Sequence, residues 1–149
     1  MDNKQKILFV QRLDGDKLET ESLWCIKDGD NYIIDNIPFI AKRVSLGDII
    51  KAEFDADENA YYFDDFISVS GNTTVRLYFN NEALIERTKK QLVNFGCEAE
   101  IFLARKILAV HIPYNVDYKP IKRYLDDGER GGKWEYEESC LAHDVAESS

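Results

Sequence analysis

The sequence predicts an α+β fold, and three observations predict it. Runs of β-branched and aromatic residues, separated by turn signals, occupy the chain as far as Phe79. Segments with helical spacing of apolar residues appear only after Asn80. Strand patterns continue on both sides of those helical segments. The strands therefore dominate the N-terminal half, and helices join them only in the C-terminal half.

The N-terminal half reads almost entirely as strands. Turn signals such as Asp14-Gly15 and Asp28-Gly29-Asp30 separate the runs. Strands this short and this closely punctuated are typical of a half-open barrel or a bent antiparallel sheet. The predicted strands cover residues 7–10, 22–27, 31–35, 44–54, 60–70 and 73–79.

The C-terminal half adds two helices. Asn80 or Asn81 can cap the first helix, and Gly96 suits its left-handed C-terminal end. Strands at 97–103 and 106–112 follow, and a second helix over 117–127 ends at Gly128 before a strand at 133–140. Counted from 73–79, the order is βαββαβ, which predicts a ferredoxin-like half. The predicted subdomains are 1–72 and 73–141, with a flexible tail at 142–149.

Charge and cysteine content limit the function classes. The 149 residues include 28 acidic and 19 basic ones, for a net charge of -9. Such a field repels nucleic acid and anionic membranes and attracts basic partners. The N-terminus lacks the pattern of a signal peptide, and no apolar stretch has membrane-spanning length. Three widely spaced cysteines fit neither a disulfide framework nor a zinc knuckle, which predicts a cytoplasmic protein with reduced thiols.

Tests for catalytic chemistry fail along the chain. Residues 55–59 begin like a calcium loop, but Ala60 stands where the sharp turn needs glycine. Asp64 and Asp65 are neighbours in a strand and point to opposite faces unless a bulge intervenes. Cys140 and His143 are the one nucleophile and base pair, without an orienting group. We therefore predict no enzyme activity, no catalytic or metal-ligating residues and no cofactor.

An acidic and aromatic segment near the C-terminus is the first candidate for a partner-binding surface. Alternation in the last strand places Trp134 and Tyr136 on one face and Glu135 and Glu137 on the other. The two aromatic residues are either core residues or anchors for a partner. In either case, we expect reversal of both glutamates to leave folding intact. The predicted surface contains Asp126, Asp127, Glu129, Trp134, Glu135, Tyr136 and Glu137, with Asp64 and Asp65 as further acidic candidates.

Three functional hypotheses follow. The first is a non-enzymatic acidic protein that binds a basic protein, in its most specific form an immunity-type inhibitor that neutralises a bacterial toxin or nuclease. The alternative is a small-ligand-sensing or regulatory module with a cleft between the two halves. The third is an enzyme that uses Cys140 and His143, or acids near Asp64. The sequence leaves the oligomeric state and the identity of any partner open.

Several blocks of the chain resemble a known family. The blocks are ESLW (21–24), DNIPF (35–39), VSLGD (44–48), SGNTTVR (70–76) and GERGGKWEYEE (128–138). In this order they are similar to a bacterial family of small soluble domains of unknown function. The resemblance implies a bacterial protein. It brings no catalytic residues with it.

Overall fold

The chain divides into two compact units, Met1–Ser70 and Gly71–Ser149, in a computed structural model that describes residues 3–144. Both units contain a largely antiparallel sheet, and two α-helices of the described chain lie in the second unit. The fold is therefore of the α+β class. Between residues 3 and 144, no helix is long and apolar enough to cross a membrane.

Five strands of the first unit form a closed barrel in the order β1 to β5. The sequence predicted a half-open barrel or a bent sheet. The sheet closes because β5 returns beside β1 in parallel, with Ile7 opposite Tyr61 and Leu8 opposite Tyr62. The strands are β1 (Lys4–Arg12), β2 (Leu18–Asp28), β3 (Asn31–Ile34), β4 (Ile49–Asp55) and β5 (Ala60–Ser68).

The barrel core follows from alternation along the strands. Ile7 and Phe9 of β1 are buried, whereas their neighbours Lys6 and Val10 are exposed. Phe9 stacks on Phe63 of β5, with ring centroids 5.1 Å apart. Since side chains alternate between the two faces of a strand, this apolar pattern fixes the register of each strand.

The predicted strand over 44–54 begins five residues too early. The observed strand β4 starts at Ile49, and the preceding residues form a loop. The carboxylate of Asp48 accepts hydrogen bonds from the backbone N–H groups of Ser45 and Ser70, at 2.9 and 2.8 Å. Gly47 has a φ of 93°, a left-handed value that ends extended structure. A side-chain clamp therefore overrides the strand propensity of Val44.

The second unit combines a four-stranded sheet with helices. Neighbouring strands are antiparallel and lie in the order β7, β8, β6, β9. Short 3₁₀ turns at Glu82–Leu84 and Leu103–Arg105 precede α1 and β8. The elements are β6 (Thr73–Tyr78), α1 (Ile85–Asn94), β7 (Glu98–Phe102), β8 (Ile107–Ile112), α2 (Tyr118–Arg130) and β9 (Glu135–Cys140).

Capping residues explain where α1 lies. The side chain of Asn81 accepts a hydrogen bond from the backbone N–H of Ala83 at 3.0 Å, which satisfies a donor at the start of the 3₁₀ turn. Gly96 follows the helix with a φ of 102°. The sequence predicted both the asparagine cap and the glycine end of this helix.

Helix α2 is longer than predicted, because Gly128 does not end it. The helix continues to Arg130, and Gly131 is its C-terminal cap. Gly128 is buried against the indole of Trp134, where a Cβ atom would lie 1.9 Å from Cζ2 of the ring. The glycine is therefore required for side-chain packing within the helix.

The two faces of the four-stranded sheet differ. Val75, Leu77 and Phe79 point to the same core as the apolar residues of α1 and α2. Alternation places Arg76 on the opposite, helix-free face, beside Ala109 of β8 and Glu137 of β9. A charged residue therefore occupies the middle of a central strand.

Candidate functional site

Trp134, the predicted aromatic anchor, is a core residue. Its side chain is only 5% exposed, and its indole N–H donates to the backbone carbonyl of Leu125 at 3.1 Å. The ring packs against Phe79 and Tyr124, with centroid distances of 5.7 and 5.5 Å. Trp134 is therefore unavailable to a partner protein.

Tyr136 belongs to a hydrogen-bonded network between α2 and β9. Its hydroxyl donates to Asp126 and accepts a hydrogen bond from Lys122 at 3.2 Å. Lys122 also donates to Glu138 at 3.1 Å, and Tyr118 donates to the same carboxylate oxygen at 2.6 Å. Two of the predicted docking residues, Asp126 and Tyr136, therefore satisfy each other inside the unit.

Electrostatics agree with a structural network. Burial, together with the hydrogen bond to Asp126, raises the pKa of Tyr136 to about 12. Burial and the hydrogen bond to Glu138 raise the pKa of Tyr118. Burial lowers the pKa of Lys122, but its hydrogen bonds to Tyr136 and Glu138 outweigh that effect and raise it. The phenols therefore stay neutral and the lysine stays charged near pH 7.

Glu137 is the counter-ion of a buried arginine. Its Oε1 atom accepts hydrogen bonds from Nε of Arg76 at 3.1 Å and from the hydroxyl of Tyr78 at 2.5 Å. Burial and the bond to Glu137 raise the pKa of Tyr78 to about 12. The expectation that Glu137 can be reversed without harm to folding therefore conflicts with this geometry.

The remaining acids of the C-terminal segment form no common surface patch with an aromatic centre. Glu129 accepts a hydrogen bond from the backbone N–H of Tyr136 at 3.1 Å, and Asp127 pairs with Arg130. Glu135 is exposed on the edge strand β9. Asp127, Glu129 and Glu135 are thus the exposed carboxylates of the predicted segment.

The larger concentration of acid lies in the first unit. Met1–Ser70 holds 15 of the 28 acidic residues and eight of the 19 basic ones, a net charge of -7 against -2 for Gly71–Ser149. The hairpin of β4 and β5, residues 49–68, carries six acids and one lysine. We call it the acidic hairpin. Its acids are Glu53, Asp55, Asp57, Glu58, Asp64 and Asp65, and all six are exposed.

Irregular pairing explains why so many acids of the acidic hairpin face solvent. The register shifts between Ile49 and Ile50, and again between Lys51 and Ala52, so that Asp64 has no residue opposite it. This β-bulge leaves Asp64 and Asp65 both exposed, which strict alternation excludes. From the sequence, Asp64 and Asp65 were expected to point to opposite faces unless a bulge intervened.

Aromatic side chains lie among these acids. Phe54 is 49% exposed and packs against Tyr61, with centroids 5.0 Å apart. A shallow surface depression is lined by Glu53, Phe54, Asp55, Ala56 and Tyr62. Sequence reasoning missed Phe54 and Tyr62 as candidates. The feature of the sequence that could have indicated them is the alternation of aromatic and acidic residues on both sides of the 55–59 turn.

The free edge of β4 is a further feature of the acidic hairpin. Strand β3 pairs with β4 only at Ile49 and Ile50. Among the described strands, Lys51–Asp55 therefore has β5 as its one neighbour.

At the tip of the acidic hairpin, Asp55 accepts hydrogen bonds from the backbone N–H groups of Asp57 and Glu58, at 2.9 and 3.2 Å. The side chain of Asp55 thus stabilises the turn between β4 and β5.

The candidates for nucleophilic catalysis are bound or buried. Nε2 of His143 lies 2.9 Å from the carbonyl of Pro113, and Nδ1 lies 2.6 Å from the hydroxyl of Thr73. Because a carbonyl only accepts, Nε2 carries the proton and Nδ1 accepts from Thr73. Thr73 also accepts from the backbone N–H groups of Ala142 and His143, both at 3.0 Å. The start of the predicted tail 142–149 is therefore anchored, and its residues 145–149 lie outside the described chain.

The buried cysteines are poor nucleophiles. Burial raises the pKa of both Cys25 and Cys97 to about 12, with Asp35 adding to the effect at Cys25. Within residues 3–144, no group of three or more histidine, cysteine or acidic side chains could hold a metal ion.

The family is settled by comparison with known families. The model of the domain of unknown function DUF4265 matches residues 21–136. The chain belongs to this family. A search of curated proteins finds no match. A crystal structure of a hypothetical protein from Neisseria gonorrhoeae resembles the DUF4265 chain with a TM-score of 0.81 and 23% identity, over 97% of this chain and 99% of that chain. That similarity shows the fold alone.

Three of the DUF4265-like sequence blocks have an architectural role. In ESLW, the carboxylate of Glu21 accepts hydrogen bonds from the backbone N–H groups of Phe39, Ile40 and Ala41, at 2.7, 2.9 and 2.8 Å. In DNIPF, Asn36 accepts from the backbone N–H of Trp24 at 2.6 Å. VSLGD contains the clamp formed by Asp48. The polar residues of these blocks therefore hold the loop between β3 and β4.

Proposed function

We propose that this DUF4265 chain is a non-enzymatic protein-binding domain that binds a basic protein through its acidic hairpin. The observation that carries the proposal is the exposure of all six carboxylates in a hairpin that also exposes the ring of Phe54. In its most specific form, the domain is an immunity-type inhibitor that covers the basic surface of a bacterial toxin or nuclease.

Charge distribution supports this proposal. The acidic hairpin has a net charge of -5, within a unit whose net charge is -7. A dense field of one sign attracts cationic proteins over distances of about 10 Å at ordinary salt and speeds their association. Of the six acids of the acidic hairpin, only Asp55 and Asp65 have side-chain hydrogen bonds in the described structure. Asp55 accepts from backbone N–H groups of its own turn, and Asp65 accepts from the N–H of the next residue. In the described structure, no lysine or arginine of this chain forms a salt bridge with these six carboxylates, so a cationic partner would not have to displace one.

The aromatic residues supply an anchor. Protein interfaces commonly combine a central aromatic residue with a polar rim that carries the specificity. Phe54 and Tyr62 line the depression in the acidic hairpin, and Glu53 and Asp55 flank them. We expect a basic partner to insert a side chain here, with arginine favoured because its guanidinium both pairs with carboxylates and stacks on rings.

We also infer that the unit Gly71–Ser149 is ferredoxin-like, as its order of elements predicted. The sheet order β7, β8, β6, β9 supports this inference, because it places the first and third strands of a βαββαβ series at the centre. Both helices contribute to one core on one face of that sheet.

A charge-reversal experiment tests the binding proposal. The variant Glu58→Lys with Asp64→Lys changes the acidic hairpin, and Asp28→Lys with Asp30→Lys changes the exposed turn between β2 and β3 by the same net charge. Wild type and both variants are immobilised, and proteins captured from a bacterial lysate at low salt are identified by mass spectrometry. We expect a basic protein that the wild type and the turn variant retain and the hairpin variant loses.

Co-expression gives the functional readout. The captured protein is expressed alone and together with each form of the domain, and cell growth is measured. Growth inhibition relieved by the wild type but not by the hairpin variant supports the immunity-type form. The binding proposal fails if the two variants capture the same proteins as the wild type, or if the basic proteins captured are lost equally from both.

A further inference from the structure

Arg76 is buried with four of its five N–H donors unpaired in the described structure. The residue is 0% exposed and lies in the central strand β6, on the helix-free face of the sheet. Its Nε donates to Glu137, but Nη1 and Nη2 are buried without a hydrogen-bond partner in the described structure. Four N–H donors of a charged group therefore point into the protein unpaired.

Such an arrangement is unfavourable unless something accepts those bonds. An unsatisfied buried donor costs about 1–3 kcal/mol, and more when it belongs to a charged group. Glu137 accepts from Nε of Arg76, and the same Oε1 atom also accepts from Tyr78. The two Nη atoms form a planar fork, which matches two oxygens of a carboxylate or a phosphate.

The neighbouring strand β8 supplies a further polar group on the same face. Ala109 is directly opposite Arg76 on β8, so only a methyl group lies beside the guanidinium on that side. His111 pairs with Thr74 and thus lies diagonally from Arg76. Its Nδ1 atom is also buried without a hydrogen-bond partner in the described structure. Two unpaired buried polar groups therefore share one sheet face.

We propose that Arg76 and His111 form a buried site for a small oxyanion, the carboxylate or phosphate group of a ligand. The Nη1 and Nη2 groups donate to two of its oxygens, and Nδ1–H of His111 donates to an oxygen. Glu137 holds the guanidinium in place through Nε. The site lies in the second unit and takes a small molecule, so it is independent of the acidic hairpin and its protein partner.

The charge state of His111 is compatible with this role. Burial lowers the pKa of His111 below its usual value of 6.5, although Glu98 opposes the shift. The ring is therefore neutral near pH 7, and one of its nitrogens carries a proton that it can donate. Glu98, opposite His111 on β7, is exposed.

Anion-dependent stability tests the proposal. Thermal unfolding of the full chain is measured in sodium phosphate and in sodium malonate, each against sodium chloride at the same ionic strength. We expect a saturable rise in Tm of several degrees with one or both oxyanions, because a ligand that binds only the folded state stabilises it. A rise with phosphate alone assigns a phosphate group, and a rise with malonate alone assigns a carboxylate.

Variants and a spectroscopic readout separate this site from general salt effects. Arg76→Met is expected to lose the anion-dependent rise, and Arg130→Met, at an exposed arginine, is expected to keep it. If Arg76→Met does not fold, NMR of the wild-type histidine rings gives the answer. The oxyanion should shift the signals of His111 and leave those of His143 in place. No rise in Tm beyond that in chloride, a rise retained in Arg76→Met, or unmoved His111 signals overturns the proposal.

Discussion

Trp134 packs so closely on Gly128 that a Cβ atom at residue 128 would lie 1.9 Å from Cζ2 of the indole. Alanine normally stabilises a helix interior by about 1 kcal/mol relative to glycine. Here we expect Gly128→Ala to destabilise the fold by about 1–3 kcal/mol, because the methyl group must displace a buried ring. Urea unfolding measures the change.

Gly131→Ala is the matched control, since its added Cβ meets no atom closer than 3.3 Å and its φ is -80°. We expect a smaller loss of stability there than at residue 128. An equal loss in the two variants, or a gain in Gly128→Ala, contradicts the packing role of Gly128.

Glu135 and Glu137 lie two residues apart on β9, but we expect their replacement by lysine to affect stability very differently. Glu137→Lys places a second positive charge against the buried guanidinium of Arg76, whose side chain is 1% exposed. Loss of the partner of a buried charge costs about 3–5 kcal/mol, and the 32% exposure of Glu137 places the effect at or below the low end of this range. Glu135→Lys should leave unfolding by urea nearly unchanged. Similar stability of both variants would contradict the role of Glu137 as the counter-ion of Arg76.

Glu21 holds the loop after β3 through three backbone hydrogen bonds. We expect Glu21→Ala to cost about 3 kcal/mol, because hydrogen bonds to a carboxylate are stronger than neutral ones and three backbone N–H groups lose this acceptor. Glu21→Gln should cost less, since one oxygen remains. Hydrogen exchange should accelerate at Phe39, Ile40 and Ala41 in the alanine variant, and unchanged exchange there contradicts the clamp.

Alkaline pH should destabilise the second unit. The pKa values of Tyr78 and Tyr136 are raised from 10.0 to about 12, mainly by burial. Below pH 10 both phenols are neutral in the folded and unfolded states, so their contribution is fully present. Above pH 10 the unfolded state loses protons first, and stability falls as pH rises towards 12. Urea unfolding as a function of pH measures the slope.

Tyr136→Phe is the control for that slope. It removes one titrating phenol, so the decline between pH 10 and 12 should be less steep than in the wild type. Tyrosinate absorbance, followed in parallel, should show the phenol ionising together with unfolding. A slope that does not change in the variant speaks against a role for Tyr136.

Local patterns predicted most strands and the capping of α1, because strand alternation and cap residues act over a few neighbouring positions. The errors have longer-range causes. The start of β4 depends on the contact of Asp48 with Ser70, and the end of α2 depends on the contact of Gly128 with Trp134. Neither contact is visible in a local window of sequence.

The burial of Trp134 and the pairing of Glu137 were missed for a similar reason. Arg76 and Glu137 are 61 residues apart, so the sequence offered no sign that this glutamate is a counter-ion. In the acidic hairpin, the bulge at Asp64 depends on the register of β4 against β5. The sequence named only Asp64 and Asp65 of this hairpin as candidates, although composition points to the whole of it, because residues 49–68 have six acids and one lysine.

The free edge of β4 gives the carboxylates of the acidic hairpin a second consequence. An unpaired strand with exposed apolar residues such as Phe54 is a template for edge-to-edge aggregation. Two copies of this hairpin approach each other with five negative charges apiece, and this repulsion opposes their pairing. The acids that we propose as the binding surface for a cationic protein therefore also oppose self-association, and neutralising them should cost solubility before it costs the fold.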